Sequence, residues 1–165
     1  MILPILEYPD KRLRTVAKPV EKINDTINKL IKDMFDTMYN APGIGLAATQ
    51  VNSHQRIIVV DVSENQNEPI SLINPEIIDK SGEIESEEGC LSVPSYYENV
   101  KRASNIRIKS IDKNGNSIQT NASGVLAICV QHEIDHLDGI LFVDHLSKLK
   151  QKRLKKKAQK KSKQL

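Results

Sequence analysis

The sequence is poor in aromatic residues and in cysteine. Aromatic residues make up 4% of the 165 positions and tryptophan is absent, so aliphatic side chains must form most of the core. Two cysteines are too few for the disulfide framework of a small secreted protein. In a reducing compartment they are expected to be metal ligands, nucleophiles or buried core residues. A chain of this length buries roughly two thirds of its unfolded surface as one domain without such crosslinks.

Long apolar runs are missing as well. The apolar opening over residues 1–6 is interrupted by Pro4 and followed by Glu7, which makes it too short for the hydrophobic part of a signal peptide. No stretch approaches the length that crosses a membrane. With 39% apolar and 27% charged residues, the composition is that of a globular protein. We expect a cytoplasmic monomer with no membrane contact.

Acidic residues are absent after Asp144, whereas ten lysine and arginine residues follow it. The preceding part of the chain has 14 basic and 21 acidic residues, a formal charge of −7. An acidic body therefore ends in a basic tail. This asymmetry indicates contact with a polyanion, and the alternative is a solvated helix that only aids solubility.

The hydrophobic pattern predicts an α+β domain in which helices precede and follow several antiparallel strands. Asn24-Asp25 caps a helix that Pro42-Gly43 ends, over about residues 25–41. A second helix is predicted over residues 124–137, and a third begins near Ser147 and carries the basic tail. Strands are predicted over residues 56–62, 70–78 with a break at Asn74-Pro75, 105–111, and 117–121 after a turn at Asn114-Gly115.

The second helix contains an H-E-x-x-H sequence, His132-Glu133-Ile134-Asp135-His136. Residues four apart lie on one face of a helix, so the two imidazoles can share a metal while Glu133 reaches a metal-bound water. The alternative is a pair of core histidines with no ligand role. The glutamate between them and the apolar face around them favour a metal site. This helix is expected to be central, with antiparallel sheets packed around it.

Two histidines leave a metal short of ligands, so a third must come from elsewhere. Downstream of the helix, Asp138 is too close, and Asp144 and His145 are weak candidates. Cys129 lies seven residues from His136. That spacing is roughly 10 Å along a helix axis, whereas ligand atoms around one metal lie about 3–4 Å apart. Cys129 is therefore interpreted as a small buried hydrophobe behind the site.

Two other segments are rich in small residues. Cys90 follows Gly89, which lets the backbone approach closely, so an extended segment could present the thiolate to the helix. Taken alone, an inert core thiol is the alternative. Residues 43–50, GIGLAATQ, lack the glycine spacing of nucleotide-binding loops. Gln50 offers an uncharged amide that suits a developing oxyanion, although such a loop is typical of an ordinary helix-to-strand connection.

Together these segments resemble a known family. GIGLAATQ at 43–50, EGCLS at 88–92 and QHEIDHLDG at 131–139 are similar to three motifs of peptide deformylases, in the same order and at similar separations. The resemblance runs from the N-terminus to about Leu149 and looks closest to the bacterial type with a basic C-terminal helix. It implies a catalytic domain over residues 1–147 and a basic helical tail over residues 148–165.

The resemblance implies a metal-dependent hydrolase that removes the N-formyl group from the formylmethionine of nascent polypeptides and releases formate. Glu133 corresponds to the general acid/base, and Gln50 with the backbone N–H of Leu91 corresponds to the oxyanion donors. The divalent metal is expected to be Fe²⁺ natively, with Zn²⁺, Ni²⁺ or Co²⁺ as alternatives. Its implied ligands are Cys90, His132 and His136.

The resemblance also implies an extended peptide bound alongside a strand, with its methionine side chain in an apolar pocket. The matching backbone positions are Ile44, Gly45 and Gly89, and the matching pocket residues are Ile44, Val125, Ile128 and the His132 ring. Ser86 and Tyr96-Tyr97 depart from the family's pattern at the substrate rim, where an aliphatic residue and an arginine are familiar.

The basic tail is expected to dock on the ribosome near the tunnel exit, with residues 148–163 contacting RNA phosphates. One rival hypothesis is a zincin-like endopeptidase, argued from H-E-x-x-H alone. The other is a ribosome- or RNA-binding module with a structural metal site. A structural site would normally need a fourth protein ligand.

Overall fold

The computed structural model describes the backbone of residues 1–163 and the side chains of residues 1–160. Short 3-10 helices occur at Lys11–Arg14, Ala48–Val51 and Phe142–His145. The helices are α1 (Asp25–Asn40), α2 (Gly124–Leu137) and α3 (Lys148–Lys163). The strands are β1 (Gly45–Ala47), β2 (Ile57–Val60), β3 (Ile70–Ser81), β4 (Ile84–Cys90), β5 (Val93–Arg102), β6 (Asn105–Ile111) and β7 (Ser117–Ser123).

The first predicted helix is confirmed as α1. The Asn24 side chain accepts a hydrogen bond from the Ile27 N–H at 3.0 Å, which satisfies one of the free N–H groups of the first turn. Apolar residues at helical spacing, among them Met34 and Met38, are fully buried against the sheet. The helix ends before Pro42, as the sequence predicts.

Two antiparallel sheets make up the β part of the fold. The larger has the strand order β1-β2-β3-β6-β7, and the smaller is the hairpin β4-β5. All four residues of β2 are buried, because α1 packs on one side of this strand and α2 on the other. The predicted α+β architecture around a central helix is confirmed, since α2 lies against β1, β2, β6 and β7.

The predicted break at Asn74-Pro75 is wrong, because β3 continues to Ser81. The irregularity is a bulge instead: Asn74 has a φ of 51°, and the pairing with β6 shifts between Ile73 and Glu76. The Asn74 amide is used locally. Its Oδ1 accepts from the Val20 N–H at 2.8 Å and its Nδ2 donates to the Val20 carbonyl at 3.0 Å.

The third predicted helix is confirmed as α3, which carries the basic tail and begins at Lys148. Leu154 is buried in a cluster with Phe142 and Val93, and Lys150 Nζ lies 3.0 Å from Glu98. Residues 164–165 of the predicted tail lie outside the described residues. Within the described part of the chain, no helix has the length and apolar character needed to cross a membrane.

Candidate metal centre and cleft

Cys90, His132 and His136 converge into one cluster between the smaller sheet and α2. Cys90 Sγ lies 3.2 Å from His136 Nε2, and the two histidine Nε2 atoms are also 3.2 Å apart. All three ligand atoms lie within 4.8 Å of one another. Bonds of about 2.0–2.3 Å to one tetrahedral metal would separate the ligand atoms by similar distances. The residues present therefore fit a divalent metal ion.

The fold brings these ligands together from two elements. Cys90 ends β4, and its Sγ accepts a hydrogen bond from the Ser92 N–H at 3.4 Å. His132 and His136 lie one turn apart on α2, as the H-E-x-x-H spacing predicts. His136 is completely buried, and burial lowers its pKa well below the usual value, so the ring is neutral and keeps a lone pair for a metal.

A buried ion pair orients His132 from behind. Arg102 donates to both Glu88 oxygens at 2.8 Å, and Glu88 Oε1 lies 2.9 Å from His132 Nδ1. Burial alone would raise the pKa of Glu88, but the hydrogen bonds from Arg102 and His132 lower it to about 2. An ionised carboxylate can only accept, so His132 Nδ1 carries a proton and Nε2 faces the cluster as the ligand atom.

Arg102 also reaches a second carboxylate. Its guanidinium donates to Asp135 Oδ2 at 2.6 Å, and His145 Nε2 lies 3.0 Å from that same oxygen. Sequence reasoning missed Arg102, Glu88 and Asp135 as parts of the site. The signal available was weak: Glu88 is two residues before Cys90, and Asp135 lies within H-E-x-x-H.

Glu133 lies beside the cluster without joining it. Its Oε1 is 3.9 Å from His132 Nε2 and 4.0 Å from His136 Nε2, and the residue is 2% exposed. Burial raises the pKa of Glu133 to about 7, against the opposing effect of His132. A carboxyl group with a pKa near neutrality can both accept and return a proton.

Gln50 occupies the other side of the cluster, on the 3-10 helix Ala48–Val51. Its Oε1 accepts from the Ala47 N–H at 2.9 Å, which fixes the orientation of the amide. The Nε2 group donates to Ser92 Oγ at 3.0 Å and lies 3.5 Å from Cys90 Sγ. An oriented donor therefore faces the space beside the ligands. Ser92, which sequence reasoning did not single out, holds it there.

A cavity of about 630 Å³ opens over the cluster. It is lined by every residue predicted to contact substrate, and Cys90, His132 and Glu133 reach it from below. The predicted lining residues are Ile44, Gly45, Gln50, Gly89, Leu91, Val125 and Ile128. Their apolar side chains are accessible, with Ile44 49% and Val125 59% exposed. The site is therefore a concave, mainly apolar cleft with a few convergent polar groups.

Gly45 and Gly89 are both sites of close approach. A Cβ on Gly45 would lie 2.7 Å from Cys129 Sγ and 2.8 Å from Glu133 Oε2, and one on Gly89 would clash with the Tyr97 ring. Cys129 is buried, as predicted, but it lines the cleft beside Gly45 and does not lie behind the site; its Sγ is 3.5 Å from the Ile44 carbonyl. Burial raises its pKa well above the usual value.

The two rim positions that depart from the family's pattern face different spaces. Ser86 and Tyr97 line the cleft, whereas Tyr96 packs near Phe142, with ring centroids 6.2 Å apart. Successive residues of a strand point to opposite faces, which separates the two tyrosines.

The two weak candidate ligands, Asp144 and His145, and the rejected Asp138 are paired with other groups. Asp138 Oδ1 binds Arg56 at 3.0 Å, Asp144 pairs with Arg14, and His145 contacts Asp135.

Comparison with known proteins decides the family. The family model described as Polypeptide deformylase matches residues 2–152. The chain belongs to the polypeptide deformylase family. Peptide deformylase of Pseudomonas aeruginosa is 57% identical over 164 residues, which cover 99% of this chain and 98% of the relative. This is a family of enzymes, so the chain is an enzyme.

Solved peptide deformylase structures share the fold over almost the whole chain. The crystal structure from Legionella pneumophila has a TM-score of 0.92 and 47% identity, and covers 99% of this chain and 96% of that one. A more distant class I type b peptide deformylase from Acinetobacter baumannii was solved with Met-Ala-Ser bound. It has a TM-score of 0.83 and 34% identity, and covers 88% of this chain and 99% of that one.

Proposed function

We propose that this chain is a metal-dependent hydrolase that removes the formyl group from N-terminal formylmethionine of nascent polypeptides. The observation that carries the proposal is the arrangement of three ligand atoms within 4.8 Å of one another beside a buried carboxyl group. Among the described residues the ligand group has three members, which leaves a position open for water or substrate. A structural site closed by four protein ligands is therefore less well supported.

Cys90, His132 and His136 would hold a divalent metal ion, which would supply a Lewis acid that activates water and polarises the formyl carbonyl. From the resemblance we expect Fe²⁺ as the native ion, with Zn²⁺, Ni²⁺ and Co²⁺ as substitutes. A thiolate and two imidazoles suit these ions better than Mg²⁺ or Ca²⁺, which prefer oxygen ligands.

Proton transfer would be the task of Glu133. Its carboxylate accepts a proton from water as the water oxygen attacks the formyl carbon. The C–N bond then breaks, and Glu133 returns the proton to the leaving amine, which gives formate and a free methionyl N-terminus. Throughout the attack, Gln50 Nε2 and the Leu91 N–H donate to the carbonyl oxygen as it becomes negative.

The cleft and the related structure with Met-Ala-Ser bound support this substrate class. Ile44, Val125 and Ile128 would accept the methionine side chain, while backbone groups of Ile44, Gly45 and Gly89 would bind the extended peptide. Formyl is the smallest acyl group. We expect a tight site beside Gly45 and Glu133 to exclude the larger acetyl group by steric clash.

Two further expectations belong to the same function. The division into a catalytic domain over residues 1–147 and a basic tail over residues 148–165 stays a prediction. So does docking of that tail on the ribosome near the tunnel exit, where formylated nascent chains emerge. Lys152, Lys155 and Lys156 of α3 support it, since they are exposed and their charges could meet phosphates.

The function is tested by formate release under anaerobic conditions, with the protein reconstituted separately with Fe²⁺ and with Zn²⁺. Formyl-Met-Ala-Ser should release formate and acetyl-Met-Ala-Ser should not, and the ratio of the two rates identifies the working metal. Cleavage of an unblocked protein substrate would favour a zincin-like peptidase. No formate release from protein with one bound metal per chain would contradict the proposal.

A further inference from the structure

A second cavity of about 670 Å³ lies next to the catalytic cleft, and we call it the outer groove. It runs between the N-terminal segment, the start of β5 and one face of α3. Pro94 and Ser95 line both cavities, so the outer groove continues directly from the cleft. Both residues are exposed and form the ridge that joins the two spaces. None of the residues assigned to catalysis or metal binding lines the groove.

The groove has an apolar floor and a charged rim. Half-buried Tyr8 and Tyr96 line it together with Leu154 and Ala158 of α3. The rim carries Lys11 and Lys157 together with Glu7 and Asp10, and Asp10 is paired with Arg12 at 2.8 Å. An extended polypeptide suits such a surface, because alternate side chains can lie on the floor while the others face water.

The walls of the groove are tied to the catalytic site. Tyr8 N–H donates to the Ser92 carbonyl at 2.7 Å, and Leu6 N–H donates to the Gln50 carbonyl at 2.8 Å. Tyr96 packs near Phe142, and Leu154 is 6% exposed. A groove held by these bonds is formed before ligand arrives, which lowers the entropy cost of ordering a peptide on it.

We propose that the outer groove binds the downstream part of the same substrate, from about the fourth residue of the formylated chain, with a preference for apolar side chains there. The inference rests on the proposed function, because the cleft must hold the first residues of a peptide for the chain to continue over Ser95. The enzyme would then contact more of the nascent chain than its N-terminal residues.

The test compares amidated peptides with the metal-loaded enzyme. Formyl-Met-Ala-Ser is the short substrate, and it is extended either by Leu-Ala-Leu or by Gly-Gly-Gly. Lodging one apolar side chain in the groove should raise kcat/KM about tenfold for the leucine peptide over the other two. Equal kcat/KM for all three peptides would overturn the proposal.

A matched pair of variants locates the effect. Ala158→Phe places a ring in the groove and should abolish the advantage of the leucine peptide, while turnover of the short peptide stays unchanged. Gln159→Phe changes the exposed neighbour, which does not line the groove, and should keep the advantage. An advantage that survives Ala158→Phe with unaltered thermal unfolding would refute the assignment.

Calorimetry with the unformylated peptides separates this inference from the proposed function. The leucine peptide should bind about tenfold more tightly than the glycine peptide. If no peptide releases formate, but this difference in affinity is present and is abolished in Ala158→Phe, peptide binding by the outer groove is supported and the proposed function is contradicted. If formate is released but the leucine and glycine peptides bind with equal affinity, the proposed function is supported and peptide binding by the outer groove is contradicted.

Discussion

At the scale of single residues, Glu133 combines two properties that ordinary surface carboxylates lack. It is 2% exposed, and its Oε1 lies 3.9–4.0 Å from the Nε2 atoms of both histidine ligands. At that distance it can reach a water between the ligands without occupying a ligand position. Its raised pKa follows from burial, so the proton affinity suits transfer near neutral pH.

We expect Glu133→Ala to lower kcat by about 10²–10⁴ while one metal per chain remains bound. The reason is that the ligands are left intact while the proton acceptor is removed. Formate release is measured together with metal content by elemental analysis. Glu76→Ala is the matched control, since Glu76 is an exposed carboxylate that does not line the cleft, and its removal should leave kcat within a few-fold of the parent. An unchanged rate in metal-replete Glu133→Ala would rule out the proton-transfer role.

The expected effect of changing Gln50 differs from that of changing Glu133, because the Gln50 amide is a hydrogen-bond donor and not a base. We expect Gln50→Ala to lower kcat by about 10²–10³ with little change in KM, since the hydrogen bond that it removes strengthens as the carbonyl oxygen becomes charged. Steady-state kinetics with formyl-Met-Ala-Ser measure the two constants separately. A rise in KM alone would mean that Gln50 only binds the ground state. Thermal unfolding checks that removal of the Ala47 hydrogen bond has not unfolded the loop.

At the scale of elements, Arg102 joins β4, β5 and α2 through Glu88 and Asp135. Its side chain and that of Glu88 are 5% and 4% exposed. We expect Arg102→Met to destabilise the fold by about 3–5 kcal/mol, because it leaves a buried carboxylate without its partner. The metal affinity should also fall by about 10–100-fold, since Glu88 would no longer be held against His132.

Chemical denaturation and a competitive chelator assay measure these two effects. The neighbouring Lys101→Met is the matched control. Lys101 pairs with Glu83 at 3.8 Å between side chains that are 70% and 67% exposed. Exposed pairs of this kind contribute about 0–1 kcal/mol, so this variant should behave like the parent. Equal effects in both variants would show that Arg102 contributes no more than a surface charge.

The elements also show which features local sequence can predict. The i, i+4 spacing of the histidines and the caps of α1 depend on neighbours within one or two turns, so α1, α2 and the histidine pair follow from the sequence. The hairpin β4-β5 has polar residues at many positions and lacks clean alternation. Its pairing, and with it the interaction between Glu88 and Arg102, depends on a register that local pattern does not determine. The assignment of Cys90 as the third ligand depends mainly on the family resemblance.

The continuation of β3 past Asn74 was not predicted from the sequence, for a related reason. An Asn-Pro pair normally ends a strand, because proline cannot donate to the ladder. Here the bulge absorbs the irregularity, and the Asn74 amide makes two hydrogen bonds to Val20, which is 54 residues away in sequence. Such a compensating interaction exists only in the folded chain. The same limit applies to Ser92, whose hydroxyl holds Gln50 across 42 residues.

At the scale of the whole molecule, charge is divided between an acidic body and a basic helix that packs on it through one side. Leu154 is buried and Lys150 pairs with Glu98, whereas Lys152, Lys155 and Lys156 are exposed. Deleting α3 would remove Leu154 from the core, so a loss of ribosome binding could then result from a defect in folding. Neutralising the exposed lysines changes the charge and leaves the packing intact.

We expect the triple change of Lys152, Lys155 and Lys156 to Gln to weaken ribosome binding and to reduce its salt dependence. For every lysine–phosphate ion pair that is removed, the slope of log K against log salt should fall by about 0.7–0.9, because fewer counterions are released on binding. Cosedimentation with ribosomes over a range of salt concentrations measures this slope. Turnover of formyl-Met-Ala-Ser should be unchanged, since none of the three lysines lines the cleft. The matched control is Lys22, Lys32 and Lys113 to Gln, which removes the same charge from the body. If both triple variants bind ribosomes with the same reduced affinity, the helix acts only through net charge, and specific docking of α3 is refuted.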